Sequence, residues 1–540
     1  MVPCLSDVSL LRSIPLTSLR TILVVLVLAV LTAVVAAVLL PRTVSAATGA
    51  SSADRSTRLA RPALRTVLRV VGRYTARIVM VGVPVLLVIA LGGLLINRPM
   101  HYVRTVGDLA KAAAPRAQVS SRIESPPKSS AFGAAPASAW KASFHDVGDG
   151  SQEATWTGPV SGIKLPVRVV LPAGYRPDDG RTYNVLEGLH GWVGSPQSMV
   201  TGIASPQRLQ EAIDAGRIPP SILVFPSLNV DGGQPDCVNI AGRPAVGTWT
   251  AEEIPRMIQA TFPNVTTQRA GWMIMGISAG AYCAARTAYD VPQRFGAVGV
   301  MSSYDLPGEG SLAHSGKTLQ AQNGLSTMLG KRKPDGMRFY VLGAQDDSSG
   351  AARAAWLMDD AVRKPDSLTV DTPASGGHSW TLWNNYFPSL LTWWGSDPAV
   401  FKAAGVTAPQ GDTWAKATAA GVKPLSETPK DQRVVGSVSP VRAMPFEING
   451  LGTIIVAVVA SLGALGTVMF WSPRWGRRRD GGRRSVARLG GAILGRVVVI
   501  LVAAGLVAVT AGIGVNASGG FYTSWRDLRA SVRVNERAGK

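Results

Sequence analysis

The pentapeptide Gly276-Ile277-Ser278-Ala279-Gly280 places a serine between two glycines, an arrangement that can present a hydroxyl on a sharp turn as a nucleophile. Glycine fills 58 of 540 positions, so composition alone could produce the match, and it gains weight only from partners. A serine hydroxyl attacks a carbonyl poorly until a histidine takes its proton, and that histidine needs a carboxylate to fix its tautomer. Of the five histidines in the chain, only His314 and His378 follow Ser278. His378 stands in Ser-Gly-Gly-His-Ser-Trp, just after a β-rich run, where a glycine loop can bring it over the serine. His314 lies in a polar stretch that reads as surface, so His378 is the expected base.

The acid is open among several residues. Asp346 follows the β-rich run Met-Arg-Phe-Tyr-Val-Leu-Gly and is the first candidate; Asp347, its neighbour, and Asp359, on the next helical stretch with Asp360, are alternatives. An acyl-transfer site also needs two backbone N–H groups aimed at the oxyanion. One would be that of Ala279, directly after the serine. The other would come from Leu-Glu-Gly-Leu-His-Gly, where Gly188 and Gly191 permit an irregular turn and Leu189 or His190 would donate.

These residues need a scaffold, and the pattern between residues 140 and 396 supplies one. Short β-rich runs (Lys-Leu-Pro-Val-Arg-Val-Val, Asn-Val-Leu-Glu-Gly-Leu, Ser-Ile-Leu-Val-Phe-Pro, Trp-Met-Ile-Met-Gly) alternate with helix-length stretches. That alternation predicts an α/β domain with a mostly parallel central sheet. Ser278 then falls between a strand and a helix whose N-terminal dipole favours developing negative charge. Residues 98–139 and 397–450 are Ala-, Pro- and Ser- or Gly- and Thr-rich and predict linkers on either side.

Beyond the linkers the chain is apolar. Four stretches, 21–40, 78–96, 451–471 and 497–515, carry no charge, and each is long enough to cross a bilayer as a helix. The formal net charge is +21, yet residues 98–450 hold 32 Lys and Arg against 29 Asp and Glu, so the excess lies beside the apolar stretches. Residues 41–77 carry eight Arg and one acid, and residues 472–496 another eight Arg and one acid. Such short basic loops belong on the cytoplasmic side. The expected topology is therefore two inward hairpins in the cell membrane, the central domain outside and the first apolar stretch an uncleaved anchor. Arg58, Arg61, Arg65, Arg69, Arg73 and Arg77 recur at helical spacing and would lie on anionic headgroups. With a nearly neutral central domain, a nucleic-acid partner is excluded. No cofactor is expected, and no His, Cys or Asp cluster has metal-ligand spacing. Of three cysteines, Cys237 and Cys283 fall in the central domain; spacing alone leaves a bridge and two buried thiols equally open.

Leu-Glu-Gly-Leu-His-Gly, Gly-Ile-Ser-Ala-Gly and Gly-Gly-His-Ser-Trp-Thr-Leu-Trp resemble, in order and spacing, the putative-esterase branch of the α/β-hydrolases, which includes esterase D, enterochelin esterases and mycolyltransferases. The likeness covers residues 140–396 and not the apolar stretches. It implies Ser278 as nucleophile, His378 as base, Leu189 and Ala279 as oxyanion donors, and a Cys237–Cys283 bridge. The chain departs from the mycolyltransferases in having Ala279-Gly280 where they carry Met and no second glycine, and Glu187 and His190 where they carry Asp and Arg. Their acid, a Glu on a helix, matches the neighbourhood of Asp359. The expected function is a membrane-anchored serine esterase or acyltransferase acting through an acyl-enzyme on envelope lipid or glycolipid esters. The alternative is an inactive hydrolase-fold scaffold or carbohydrate-binding protein.

Overall fold

The computed structural model describes residues 10–45, 62–113, 122–124, 127, 129–230, 237–308, 310–433, 445–470, 486–519 and, in the C-terminal tail, 521–522, 524–526 and 528–529. Cys4 and the centres of the two Arg-rich loops, 46–61 and 471–485, lie outside the described residues. Two units divide the chain, one centred on Pro99–Arg442 and the other made of Ile14–Arg98 and Ala443–Gly519. The helices used below are, in chain order, α1 (Leu19–Ser45), α2 (Pro62–Met100), α3 (Pro196–Gly202), α4 (Ser205–Asp214), α5 (Ile254–Thr261), α6 (Ala279–Asp290), α7 (Ala351–Ala361), α8 (Trp380–Gly395), α9 (Leu451–Phe470) and α10 (Val486–Gly519).

In the first unit the β-rich runs become strands of one sheet. They are β1 (His145–Asp146), β2 (Gln152–Thr157), β3 (Lys164–Val170), β4 (Asn184–Leu189), β5 (Ser221–Pro226), β6 (Trp272–Ile277), β7 (Ala297–Met301), β8 (Arg338–Leu342) and β9 (Ser367–Asp371). Their order is β1-β2-β3-β5-β4-β6-β7-β8-β9. From β5 to β9 every neighbouring pair is parallel, and β1, β2 and β3 add an antiparallel edge. The parallel strands are near-continuous apolar runs because helices cover both faces of the sheet. Val185, Leu189, Val224, Ile274 and Val300 pack on one face with Ala281 and Ala284 of α6 and Ile254 of α5. Leu186, Leu223, Phe225, Met273 and Met275 pack on the other with Met199 of α3, Leu209 of α4 and Leu390 and Trp394 of α8. Each fully buried Leu, Ile or Met side chain contributes roughly 1.5–3 kcal/mol.

The expected linkers are partly built into this unit. On the N-terminal side Ile123 bridges to Ile240, and Phe132 joins the core. On the C-terminal side Asp397 caps a short helix, Pro398–Ala403, that buries Val400 and Phe401. The chain then runs beside β9: Thr372 N–H donates to Ser426 O, Ser426 N–H to Asp371 Oδ1 at 3.0 Å, and Thr428 N–H to Thr372 Oγ1 at 3.0 Å. Isolated apolar residues and one hydrogen-bonded strap make no period, so composition alone reads such segments as tethers.

The second unit is helical. Leu19–Pro41, Tyr74–Met100, Leu451–Phe470 and Leu489–Ser518 are long and apolar enough to cross a membrane, and they overlap the four expected stretches. Within the unit Ala33, Ala36, Ala37, Ala503 and Ala504 are buried, while Leu23, Val27, Leu31, Ile455 and Val459 stand exposed. Leu40, Val81, Val85, Val468, Val497 and Ile500 are buried with these alanines in one cluster. Ser461 and Thr510 add an interhelical hydrogen bond of 2.8 Å.

Candidate active site

Ser278 sits between β6 and α6 with φ 55° and ψ −123°, a backbone conformation costly for a residue with a Cβ and characteristic of strained functional turns. Two glycines make the turn sterically feasible. A Cβ on Gly276 would lie 2.0 Å from Gly280 O, and one on Gly280 would lie 2.1 Å from Leu189 O. Both obstacles are backbone and cannot move aside. Ser278 N–H donates to Met301 O at 2.9 Å, tying the turn to β7.

His378 reaches this serine from the loop after β9. Its Nε2 lies 2.8 Å from Ser278 Oγ and its Nδ1 2.9 Å from Asp347 Oδ2. An ionised carboxylate only accepts, so Nδ1 carries the proton and donates to Asp347, leaving Nε2 to accept from the serine hydroxyl. Asp347 is 2% exposed. Burial pushes its carboxyl up, but the facing His378 and hydrogen bonds from His378 and Ser349 outweigh burial and hold it below its ordinary value. Ser349 contributes its N–H to Asp347 Oδ1 at 2.8 Å and places its Oγ 3.4 Å from His378 Nδ1.

Asp346, the first candidate for the acid, does not face His378. Its carboxylate accepts from Gly377 N–H at 2.8 Å and Gly376 N–H at 3.2 Å, so it holds the glycine turn that carries the histidine. Asp346 and Asp347 follow β8 in irregular backbone, where successive side chains diverge, and only the three-dimensional turn decides which meets the ring. Asp359 is drawn elsewhere: on α7 it pairs with Arg433 Nη1 at 2.9 Å. His314 is also apart, with Nδ1 2.8 Å from Gly310 O.

Ala279 is the first residue of α6, so its N–H has no intrahelical acceptor. Leu189 ends β4 in register with Gly276. The next residues pass directly against the serine: a Cβ on Gly191 would lie 2.9 Å from Ser278 Cβ. The His190 ring fixes this passage, a role that no sequence signal announces. Leu228 N–H donates to its Nε2 at 2.9 Å, so Nδ1–H donates to Gly191 O at 2.8 Å. Burial lowers the His190 pKa to about 4, which keeps the ring neutral as this pair of bonds requires. Glu187 and His190 are buried, at 0% and 2% exposure. Cys237 and Cys283 form a disulfide with Cα atoms 5.2 Å apart, pinning α6 to the loop after β5.

A parallel sheet with a strained serine between strand and helix, and a histidine and aspartate converging from later loops, is the architecture of an α/β-hydrolase. Residues 159–393 match the family model described as Putative esterase. Among solved structures, the chain is similar to a ferulic acid esterase, at 18% identity over 45% of this chain and 97% of that one, with a TM-score of 0.37. It is also similar to an S-formylglutathione hydrolase from Agrobacterium tumefaciens, at 15% identity over 47% of this chain and 97% of that one, with a TM-score of 0.38. A third is the fluorophosphonate-binding serine hydrolase F of Staphylococcus aureus, at 14% identity over 47% of this chain and 98% of that one, with a TM-score of 0.34. No curated protein matches the chain.

Proposed function

We propose that this protein is a membrane-anchored serine esterase or acyltransferase that works through an acyl-enzyme on lipid or glycolipid esters, its hydrolase domain on the outer side of the cell membrane. The observation that carries the reading is the unbroken relay from Ser278 Oγ to His378 Nε2 at 2.8 Å and from His378 Nδ1 to Asp347 at 2.9 Å. Ser278 Oγ attacks the ester carbonyl and its proton passes to His378 Nε2, while Asp347 stabilises the imidazolium. The oxyanion is held by the Ala279 N–H at the start of α6 and by the Leu189 N–H. Collapse expels the alcohol with the proton from His378 and leaves Ser278 acylated. Water then gives hydrolysis; a sugar hydroxyl gives acyl transfer.

Four helices of spanning length support the membrane setting, and the two basic loops support the orientation. Both favour a substrate delivered from a lipid surface. Because Glu187 and His190 are buried, disaccharide recognition of the mycolyltransferase kind receives no support from those two positions, and the acceptor is left as water or a hydroxyl of another glycolipid. The full chain in detergent should label with a fluorophosphonate and cleave p-nitrophenyl esters. Undiminished turnover by Ser278→Ala would overturn the assignment.

A further inference from the structure

Residues 99–104 comprise the last two residues of α2 and the four that follow it, and lie outside the segment that matches the esterase family. They touch both walls of the site. On one side Ser195 Oγ donates to Met100 O at 2.5 Å and Thr201 Oγ1 to Pro99 O at 3.3 Å. Ser195 caps α3 and ends the loop whose Gly191 lies against Ser278. On the other side Trp380 Nε1 donates to Tyr102 OH at 2.9 Å.

Trp380 stands two residues after His378 and leads to it through aromatic edges. The Trp380 and Trp383 rings meet at 5.1 Å and 87°, and the Trp383 and His378 rings at 5.2 Å and 87°, the edge-to-face geometry that aromatic quadrupoles favour. Trp383 is itself held by donating Nε1–H to Ser302 Oγ at 3.0 Å. Trp380 has little freedom on its other side, since a Cβ on Gly202 would fall 2.1 Å from its ring. The segment is clamped in turn: Arg104 forms a two-pronged ion pair with Glu153 at 2.8 and 3.2 Å, and Met100 is 3% exposed.

We propose that Tyr102 is a positioning residue of the active site, setting the plane of the His378 imidazole through Trp380 and Trp383, so that the chain leaving the apolar helix is a working part of the catalytic apparatus. The inference rests on the reading of His378 as the general base. A base must hold its ring within a fraction of an ångström of the attacking hydroxyl, since a misplacement of about 1 Å costs on the order of a hundredfold in rate. Without its acceptor on Tyr102, Trp380 is held by packing alone and its hold on Trp383 loosens.

The test compares Tyr102→Phe, Trp380→Phe and the double variant in the full chain, in detergent, on a short p-nitrophenyl ester. Titrating Ser278 with a fluorophosphonate expresses kcat per competent site and removes any difference in folded fraction. The expected result is a fall in kcat of about tenfold in each single variant with KM within about twofold, and no further fall in the double variant. Wild-type kcat in Tyr102→Phe, or losses that multiply in the double variant, would overturn the proposal. Ser278→Ala separates the two readings: if it is inactive while Tyr102→Phe is normal, only the role of Tyr102 fails, and if it is active, the site itself is wrong.

Discussion

Asp347 Oδ2 stands 2.9 Å from His378 Nδ1, while the carboxylate one residue earlier, on Asp346, accepts from the N–H groups of Gly376 and Gly377. Neighbouring acids thus serve the same histidine differently, one orienting the ring and the other its loop.

That division predicts unequal losses. Asp347→Asn removes the acceptor that sets the tautomer and stabilises the imidazolium, and kcat should fall by roughly 10³–10⁴. Asp346→Asn keeps the triad and weakens the loop, with an expected fall of about tenfold and a lowered melting temperature. Asp359→Asn, whose carboxylate pairs with Arg433, should leave kcat unchanged. Turnover of a p-nitrophenyl ester ranks the three, and equal losses in Asp346→Asn and Asp347→Asn would contradict the assignment.

The turn at Ser278 depends on two missing side chains. Gly276→Ala would push a Cβ to 2.0 Å from Gly280 O, and Gly280→Ala to 2.1 Å from Leu189 O. Neither backbone can yield without moving β6 or β4, so each substitution should cost about 3 kcal/mol or more. Chemical denaturation reads this directly; a loss below about 1 kcal/mol at either position would show that the turn is looser than the structure has it.

Two buried groups beside the site give stability a pH dependence of opposite signs. Glu187 is fully buried and neither carboxylate oxygen has a hydrogen-bond partner; burial raises its pKa well above 4.5. The folded chain therefore keeps this proton after the unfolded chain has lost it. Stability is fully present below pH 4.5 and declines as pH rises toward the folded pKa, by about 1.4 kcal/mol per pH unit for this group. Glu187→Gln should remove that decline, its advantage over the wild type growing as pH rises above 4.5; a pH-independent difference would refute it. His190 acts at the acid end. Its pKa falls from 6.5 to about 4, so stability is present above pH 6.5 and is lost as pH falls toward 4, where Nε2 must take a proton and surrender its bond from Leu228 N–H.

The Cys237–Cys283 bridge closes a loop with a sequence separation of 46, for which restriction of the unfolded chain predicts roughly 4 kcal/mol of stabilisation. Cys237→Ser with Cys283→Ser should unfold at correspondingly lower denaturant, and reductant should no longer affect the melting temperature. A variant as stable as the oxidised wild type would count against a stabilising bridge.

The sequence determined what local rules govern. Apolar runs of spanning length specify helices long and apolar enough to cross a bilayer. Alternation of β-rich and helical stretches specifies a parallel sheet, and Gly276 and Gly280 around Ser278 specify a strand-to-helix turn, since only glycine tolerates the backbone contacts found there. Chain order and a glycine loop singled out His378. Tertiary structure alone decided the rest. Whether Asp346 or Asp347 meets His378 depends on side-chain direction in irregular backbone, which has no period to read. The burial of Glu187, the ring of His190 bracing Gly191, and the reach of Tyr102 to Trp380 across 278 positions depend on which elements the sheet brings together. Spacing along a chain carries no information about such encounters, because packing of the whole core sets them.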